Sequence, residues 1–201
     1  PDLFGHVESG VFRCSAVVET PSLPFLRALH LASVLVLTPE LASRPLLALV
    51  EEQGIRLNHI ANKPAIRAHT QTTSAGIVGN AQNWKYLSDE VVKEGLEFVL
   101  QAANHPVLIV CTSGIHETGA FVGCLRRMLG WNFNSIVVEY RCFAGSKSRY
   151  LIQQFIELFD TDLIRLPRHQ DLPFWFQEYL LSQAEAEEER SNILVSRIGI
   201  N

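Results

Sequence analysis

The apolar run "PVLIV" ends on Cys111 and leads at once into "TSGIHETG". A short run of this kind predicts a buried strand, and the residues after it predict a tight loop and a helix opening at Thr118-Gly119. Backbone N–H groups of such a loop turn toward a bound phosphate, and the positive end of the helix dipole adds to their field. Gly114 and Gly119 let the chain bend sharply and come close to a ligand. A cysteine in the same field can ionise and attack phosphorus, so the spacing fits nucleophilic phosphoryl transfer. The loop "CTSGIHETG" nevertheless contains no arginine and no lysine.

Further segments extend the pattern: "GVFRC", "NHPVLI", "GCLRRMLGW", "VEYR" and "FAGSKSR". With these the chain resembles the plant and fungal atypical dual-specificity phosphatases of the cysteine-phosphatase superfamily, and among them the fungal oxidant-induced cell-cycle arrest (Oca) proteins. The resemblance runs from about "GVFRC" to about "FIELFD". That family's signature is His-Cys, five residues, Arg, then Thr-Gly. By resemblance, Cys111 takes the nucleophile position, Gly114 the glycine of the phosphate loop, Thr118 the hydroxyl that bonds the thiolate, and Gly119 the glycine that opens the helix. Three features depart from the family pattern. Val110 stands at the histidine position. Thr112, Ser113 and Ile115 stand where phosphate-processing relatives carry basic residues. His116 completes the loop, and Glu117 occupies the arginine position.

That last departure has a physical cost. A planar guanidinium holds two phosphate oxygens and follows them into the transition state. A comparable arginine contact in phosphoryl transfer contributes roughly 10³–10⁵ in rate. Glu117 replaces that positive charge with a negative one, and each unit charge acts on its neighbour by about 4 kcal/mol at ~4 Å and an effective dielectric of ~20. The same carboxylate opposes ionisation of Cys111. Other cations are poorly placed or undetermined. Arg126 and Arg127 fall about nine residues into the helix, roughly 13 Å along its axis. Lys147 and Arg149 of "GSKSR" reach the loop only if the chain folds back, and His116 offers a positive charge only below neutral pH. A general acid in this family comes from a loop upstream of the nucleophile strand. The matching stretch here has no acid between Glu52 and Asp89, and Asp89 and Glu90 read as first-turn helix residues.

The elements around the loop alternate. "SGVFRCSAV" reads as a first strand or hairpin edge, and "PSLPFLRALHLA" as a helix with Leu23, Phe25, Leu26 and Leu29 on one face. "SVLVLT" reads as a strand buried on both sides, "RPLLALVEEQG" as a helix, and "IRLNHI" as a strand. A polar stretch with no clear period covers residues 63–87 and reads as a long loop. "LSDEVVKEGLEFVLQAANH" has Ser88 as helix N-cap, a staple of Leu87 on Val92, and an apolar face of Val91, Val92, Leu96, Val99 and Leu100. The helix after the loop is expected from about Thr118 to Leu129, with Gly130 at its C-terminal cap. Helices come next at "NSIVVEYRCFAG" and "SKSRYLIQQFIELFD", then one to about Arg190 with an extended tail. The expected fold is α/β: a cysteine (dual-specificity) phosphatase fold with a central, mostly parallel sheet of about four to five strands flanked by helices. Residues 1–165 form the phosphatase-like domain. Residues 166–201 form a C-terminal helix and tail, packed on that domain or binding a partner.

The chain has 201 residues, 47% of them hydrophobic and 19% charged, with a net charge of −4 and a pI of about 6.0. The hydrophobic content suits one globular domain, and the acidic balance argues against nucleic-acid or membrane-surface partners. The longest apolar stretch is cut by Pro39, Glu40, Arg44 and Pro45 before it reaches spanning length. No secretory signal pattern opens the chain. Cys14, Cys111, Cys124 and Cys142 form neither a metal-type pair nor a disulfide framework. The expectation is a reduced, cytoplasmic protein with no metal and no cofactor, in which Cys14, Cys124 and Cys142 are small core residues.

These residues support three functional readings. The favoured one is a catalytically impaired pseudophosphatase acting as a binding or scaffold subunit, plausibly with active paralogues in a hetero-oligomer, as resemblance to the Oca proteins implies. The alternative is an active protein-tyrosine or inositol-pyrophosphate phosphatase that uses Cys111 with a relocated cation. The third is a sensor that binds an anion in the loop or undergoes Cys111 oxidation.

Overall fold

The computed structural model describes residues 1–62 and 87–198, with backbone alone for 62 and 194–198; the polar stretch expected to form a long loop lies almost wholly outside the described residues. A five-stranded sheet in the order β1-β2-β5-β3-β4 forms the centre. Strand β1 (Gly5–Glu8) pairs antiparallel with β2 (Val11–Ser15) through a two-residue turn in which Gly10 adopts φ 73°. The other neighbours are all parallel: β2 with β5 (Val107–Cys111), β5 with β3 (Ser33–Val36), and β3 with β4 (Arg56–His59). The mostly parallel sheet expected from the sequence is present, and the weak hairpin signal at its start resolves into an edge strand and a buried one.

Strand β5 occupies the middle and all five of its residues are buried, as a continuous apolar run requires. Register fixes what each face carries. Val11, Arg13 and Ser15 lie opposite Val107, Ile109 and Cys111, so these six share one face. That face packs against α3 (Asp89–Val99), α4 (His116–Met128), α5 (Phe133–Ala144), α6 (Tyr150–Leu158) and the start of α7 (Phe174–Ile198). The opposite face, with Phe12, Cys14, Val34, Val36, Leu108 and Val110, is covered by α1 (Leu23–Ala28) and α2 (Arg44–Glu52). Phe25, placed by pattern on the buried side of α1, is exposed and meets the Phe4 ring edge-on.

Helix α4 is the inner helix of the thicker layer. It begins at His116, two residues earlier than the sequence suggests, which places Glu117 in its first turn. Its end is a Schellman arrangement: Trp131 N–H donates to Arg126 O at 3.0 Å and Gly130 N–H to Arg127 O at 3.0 Å, with Gly130 at φ 69°. Neighbouring helices approach α4 through glycines. The Tyr140 ring rests on Gly119, Ile156 on Gly123, and Phe121 itself on Gly95 of α3. Ser88 caps α3 by accepting from Val91 N–H at 3.4 Å, and Val91, Val92, Leu96, Val99 and Leu100 are all buried, as the spacing predicts.

Two expectations change in the last third. Cys142 is exposed, because α5 buries Ile136, Val137, Tyr140 and Ala144 and position 142 falls on the other side of the helix; Cys14 and Cys124 are core residues. The terminal segment does not become extended after Arg190. It continues as α7 to Ile198, since "SNILVSRI" holds neither glycine nor proline to stop it. Trp175, Phe176, Tyr179 and Leu180 pack on the same core as α4, whereas the side chains from Leu181 to Ile193 are almost all exposed.

The Gly123–Ile156 approach gives a direct test of this layer. Gly123→Val is expected to destabilise the protein by about 2 kcal/mol or more in urea denaturation, since overpacking a dense core costs roughly 1–3 kcal/mol. A change within about 0.5 kcal/mol would contradict the close packing of α6 on α4.

Candidate phosphate-loop site

Cys111 is the last residue of β5 and its side chain is fully buried. The chain reverses at Gly114, whose φ is 71° and whose N–H points at Cys111 Sγ from 3.2 Å. A Cβ at Gly114 would stand 2.7 Å from Ser15 N and 2.9 Å from the Cys14 carbonyl carbon. The loop is therefore pressed onto the end of β2, which only glycine permits. Three hydrogen bonds join them. Ala16 N–H donates to Cys111 O at 2.9 Å, Ser15 Oγ to Thr112 O at 3.0 Å, and the Arg13 guanidinium to Gly114 O at 2.8 Å. The carbonyls of Cys111, Thr112 and Gly114 are thus tied to β2 and the residue that follows it.

The other loop side chains divide by role. Ile115 is buried in the core. Ser113 Oγ accepts from Ile115 N–H at 3.2 Å and stiffens the turn. Thr112 is exposed, donates to Glu40 Oε2 at 3.1 Å and lies 3.2 Å from Thr38 Oγ1. The Thr118 hydroxyl is fully buried with no oxygen or nitrogen partner, and its influence falls on the Cys111 sulfur, where it favours the thiolate. Gly119 lies under the Tyr140 ring.

That influence is outweighed. Burial pushes the Cys111 thiol above its ordinary pKa, and Glu117, half-buried in the first turn of α4, pushes it further in the same direction. A carboxylate is favourable at a helix N-terminus, because it meets the positive end of the dipole. Glu117 so takes up the field in which a phosphate would sit. The result is a neutral thiol where nucleophilic catalysis needs a thiolate.

His116 belongs to a second network. Its Nδ1 lies 3.1 Å from Tyr140 Oη, and Tyr140 Oη accepts from Arg149 N–H at 3.0 Å. The phenol thus joins the His116 ring to the backbone that leads into α6. Burial, Arg149 and Lys147 all lower the His116 pKa, and Glu117 alone opposes them. His116 is accordingly not the spare cation that its type suggested. Lys147 and Arg149, undetermined from sequence, act electrostatically on His116. Arg126 and Arg127 do not. Arg126 is buried between Glu139, at 3.0 Å, and Glu8, under the Trp131 ring. Arg127 donates to the carbonyls of Ile156, Glu157 and Phe159.

Asp89 sits in a groove with Leu87, Leu151, Gln154, Phe155, Leu158 and Phe159. Its pKa is raised, first by burial and then by Glu90. It serves the start of α3, and among the described residues no contact brings it to Cys111. Sequence reasoning missed Arg13, Ser15 and Tyr140. The one available signal was an arginine inside "VFRCS", a strand in which every residue is buried.

Comparison with known proteins places this geometry. A model described as "Tyrosine phosphatase family" matches residues 1–178. The chain belongs to the tyrosine phosphatase family. Its relatives there include the probable tyrosine-protein phosphatase DG1060 of Dictyostelium discoideum, 37% identical over 86% of this chain and 92% of that protein. The OCA1 protein of Mycosarcoma maydis is 36% identical over 82% of this chain and 94% of that one. Among solved structures, the core catalytic domain of the PP-IP phosphatase SIW14 from Saccharomyces cerevisiae, in complex with citrate, superposes with a TM-score of 0.65. It shares 36% identity and covers 81% of this chain and 88% of that one. The family and fold expected from the sequence, atypical dual-specificity phosphatases with Oca-like members, stand confirmed.

The electrostatics predict how Cys111 reacts. Its alkylation rate should rise with pH around a midpoint above 9.0, the ordinary thiol value. Glu117→Gln should lower that midpoint without carrying it below the ordinary value, because burial is the larger cause. A midpoint below about 8 in the unaltered protein would contradict this description of the loop.

Proposed function

We propose that this chain is a catalytically impaired member of the tyrosine phosphatase family that works as a binding or scaffold subunit. The observation that carries the reading is the Glu117 carboxylate in the first turn of α4, at the position where the family signature has arginine, beside a buried Cys111 thiol held above its ordinary pKa. The loop keeps its outline but offers a dianion a negative charge and a protonated nucleophile. Support for a binding role comes from large apolar side chains exposed on α6 and α7, with Tyr150 and Leu158 each 73% exposed and Phe174 72%. Large exposed apolar groups of this kind are what a partner surface would cover. The proposed partners are active members of the same family, in a hetero-oligomer located in the cytoplasm; no described helix is long and apolar enough to cross a membrane.

A second reading has its own support. Relatives carry the names of tyrosine and PP-IP phosphatases. Lys147 and Arg149 lie close enough to act on His116 in the loop. Under that reading Cys111 attacks a phosphotyrosine or an inositol pyrophosphate, and those two cations take over charge that the signature arginine would neutralise. The names of the relatives favour this reading; the charge at position 117 favours the first.

A turnover assay separates them. The first reading predicts no hydrolysis of p-nitrophenyl phosphate, a phosphotyrosine peptide or an inositol pyrophosphate above the level of Cys111→Ser. Turnover that disappears in Cys111→Ser would establish the second. Glu117→Arg combined with Val110→His should raise vanadate affinity by at least about tenfold, since a bidentate charged contact replaces a repulsion. No gain would mean that the loop lacks the shape of an anion cradle. For the scaffold role, size-exclusion chromatography with a purified active family member should show a shared peak, and a strictly monomeric profile would count against it.

A further inference from the structure

Arg13 stands at the centre of β2 and is 1% exposed. Its Nη2 donates to Gly114 O at 2.8 Å, and its guanidinium carbon lies 3.8 Å from the centre of the Phe143 ring. Nε and Nη1 are buried with no hydrogen-bond partner. Burial brings its pKa down from 12.5 to about 10, which still leaves it charged at neutral pH. Gly5 makes the room for this stack: a Cβ there would come 2.7 Å from the Phe143 ring and 3.4 Å from Arg13 Cγ. Cys111 and Glu139 favour its charge, burial outweighs them, and among the described residues no carboxylate forms an ion pair with it. The chain nevertheless places this guanidinium where it reaches the apex of the Cys111 loop.

We propose that Arg13 is a positioning residue that holds the Cys111–Gly119 loop in its cradle-shaped turn with no anion inside it. The proposal rests on the reading of this loop as an anion cradle without its arginine. In such a loop no anion grips the turn from within, and beyond the short bonds of Gly114 N–H and Ser113 Oγ its shape is secured from outside. The bonds from Ala16 and Ser15 hold the first two carbonyls, those of Cys111 and Thr112. Arg13 holds that of Gly114, the residue with positive φ where the chain reverses. A guanidinium suits the task because its flat face lies under Phe143 while its edge donates. Phe143 belongs to α5, as does Tyr140, which packs on Gly119 and bonds His116. One helix thus supports the loop at its apex through Arg13 and at its far end directly.

The test compares two buried thiols by site-resolved mass spectrometry after native iodoacetamide labelling. Cys111 lies in the loop and Cys124 in the core of α4, and both are 0% exposed. Arg13→Met should raise the labelling rate of Cys111 by at least about tenfold and leave Cys124 unchanged, because only the loop opens. Arg13→Lys, which keeps a charged donor, should fall between the two. Phe143→Leu should show the same selectivity, and it carries the test if Arg13→Met does not fold. Wild-type labelling of Cys111 in these variants, or a parallel rise at Cys124, would overturn the proposal. In the Glu117→Arg, Val110→His background, adding Arg13→Met should remove the gained vanadate affinity. If that background gains none with Arg13 intact, the cradle reading fails, and the labelling comparison still judges Arg13 by itself.

Discussion

The carboxylate of Glu117 acts on the thiol of Cys111 at the head of α4 and opposes the thiolate that nucleophilic phosphoryl transfer uses. Glu117 raises the cost of a thiolate, and burial raises it further. The same carboxylate sits where backbone dipoles favour an anion, so the field that remains is already answered from within the chain. Thr118 still favours the ionised sulfur, but it is the weaker influence.

The loop keeps its geometry through supports that do not include Glu117. Its carbonyls bond to β2, Gly114 rests on the backbone of Cys14 and Ser15, and Gly119 rests under Tyr140. None of these contacts involves position 117. Charge and shape are therefore separable here: a carboxylate can replace a guanidinium with no demand on the packing that forms the turn. The chain thus shares the fold of a PP-IP phosphatase catalytic core with Glu117 in the first turn of α4.

Local features are legible in the sequence where local physics decides them. The apolar run to Cys111, the Ser88 cap, the face of α3 and the glycine after α4 all come from spacing and residue type. The start of α4 lies two residues ahead of where spacing puts it, because Glu117 belongs in a first turn as readily as outside a helix. Helix α7 outruns its expected end because the sequence contains no breaker to stop it. Arg13 is out of reach for a different reason. It meets Gly114 across 101 residues, and no period or motif reports a contact that only sheet register creates. Arg126 with Glu8 is a similar case, and so is the approach of Lys147 and Arg149 to His116.

The most direct measurement of the central claim is a calorimetric titration of the unaltered protein with orthovanadate at neutral pH. A protonated Cys111 beside the Glu117 carboxylate predicts no saturable heat up to millimolar concentrations, about the 1 mM level that corresponds to roughly 4 kcal/mol of binding. A micromolar dissociation constant that Cys111→Ser abolishes would contradict it.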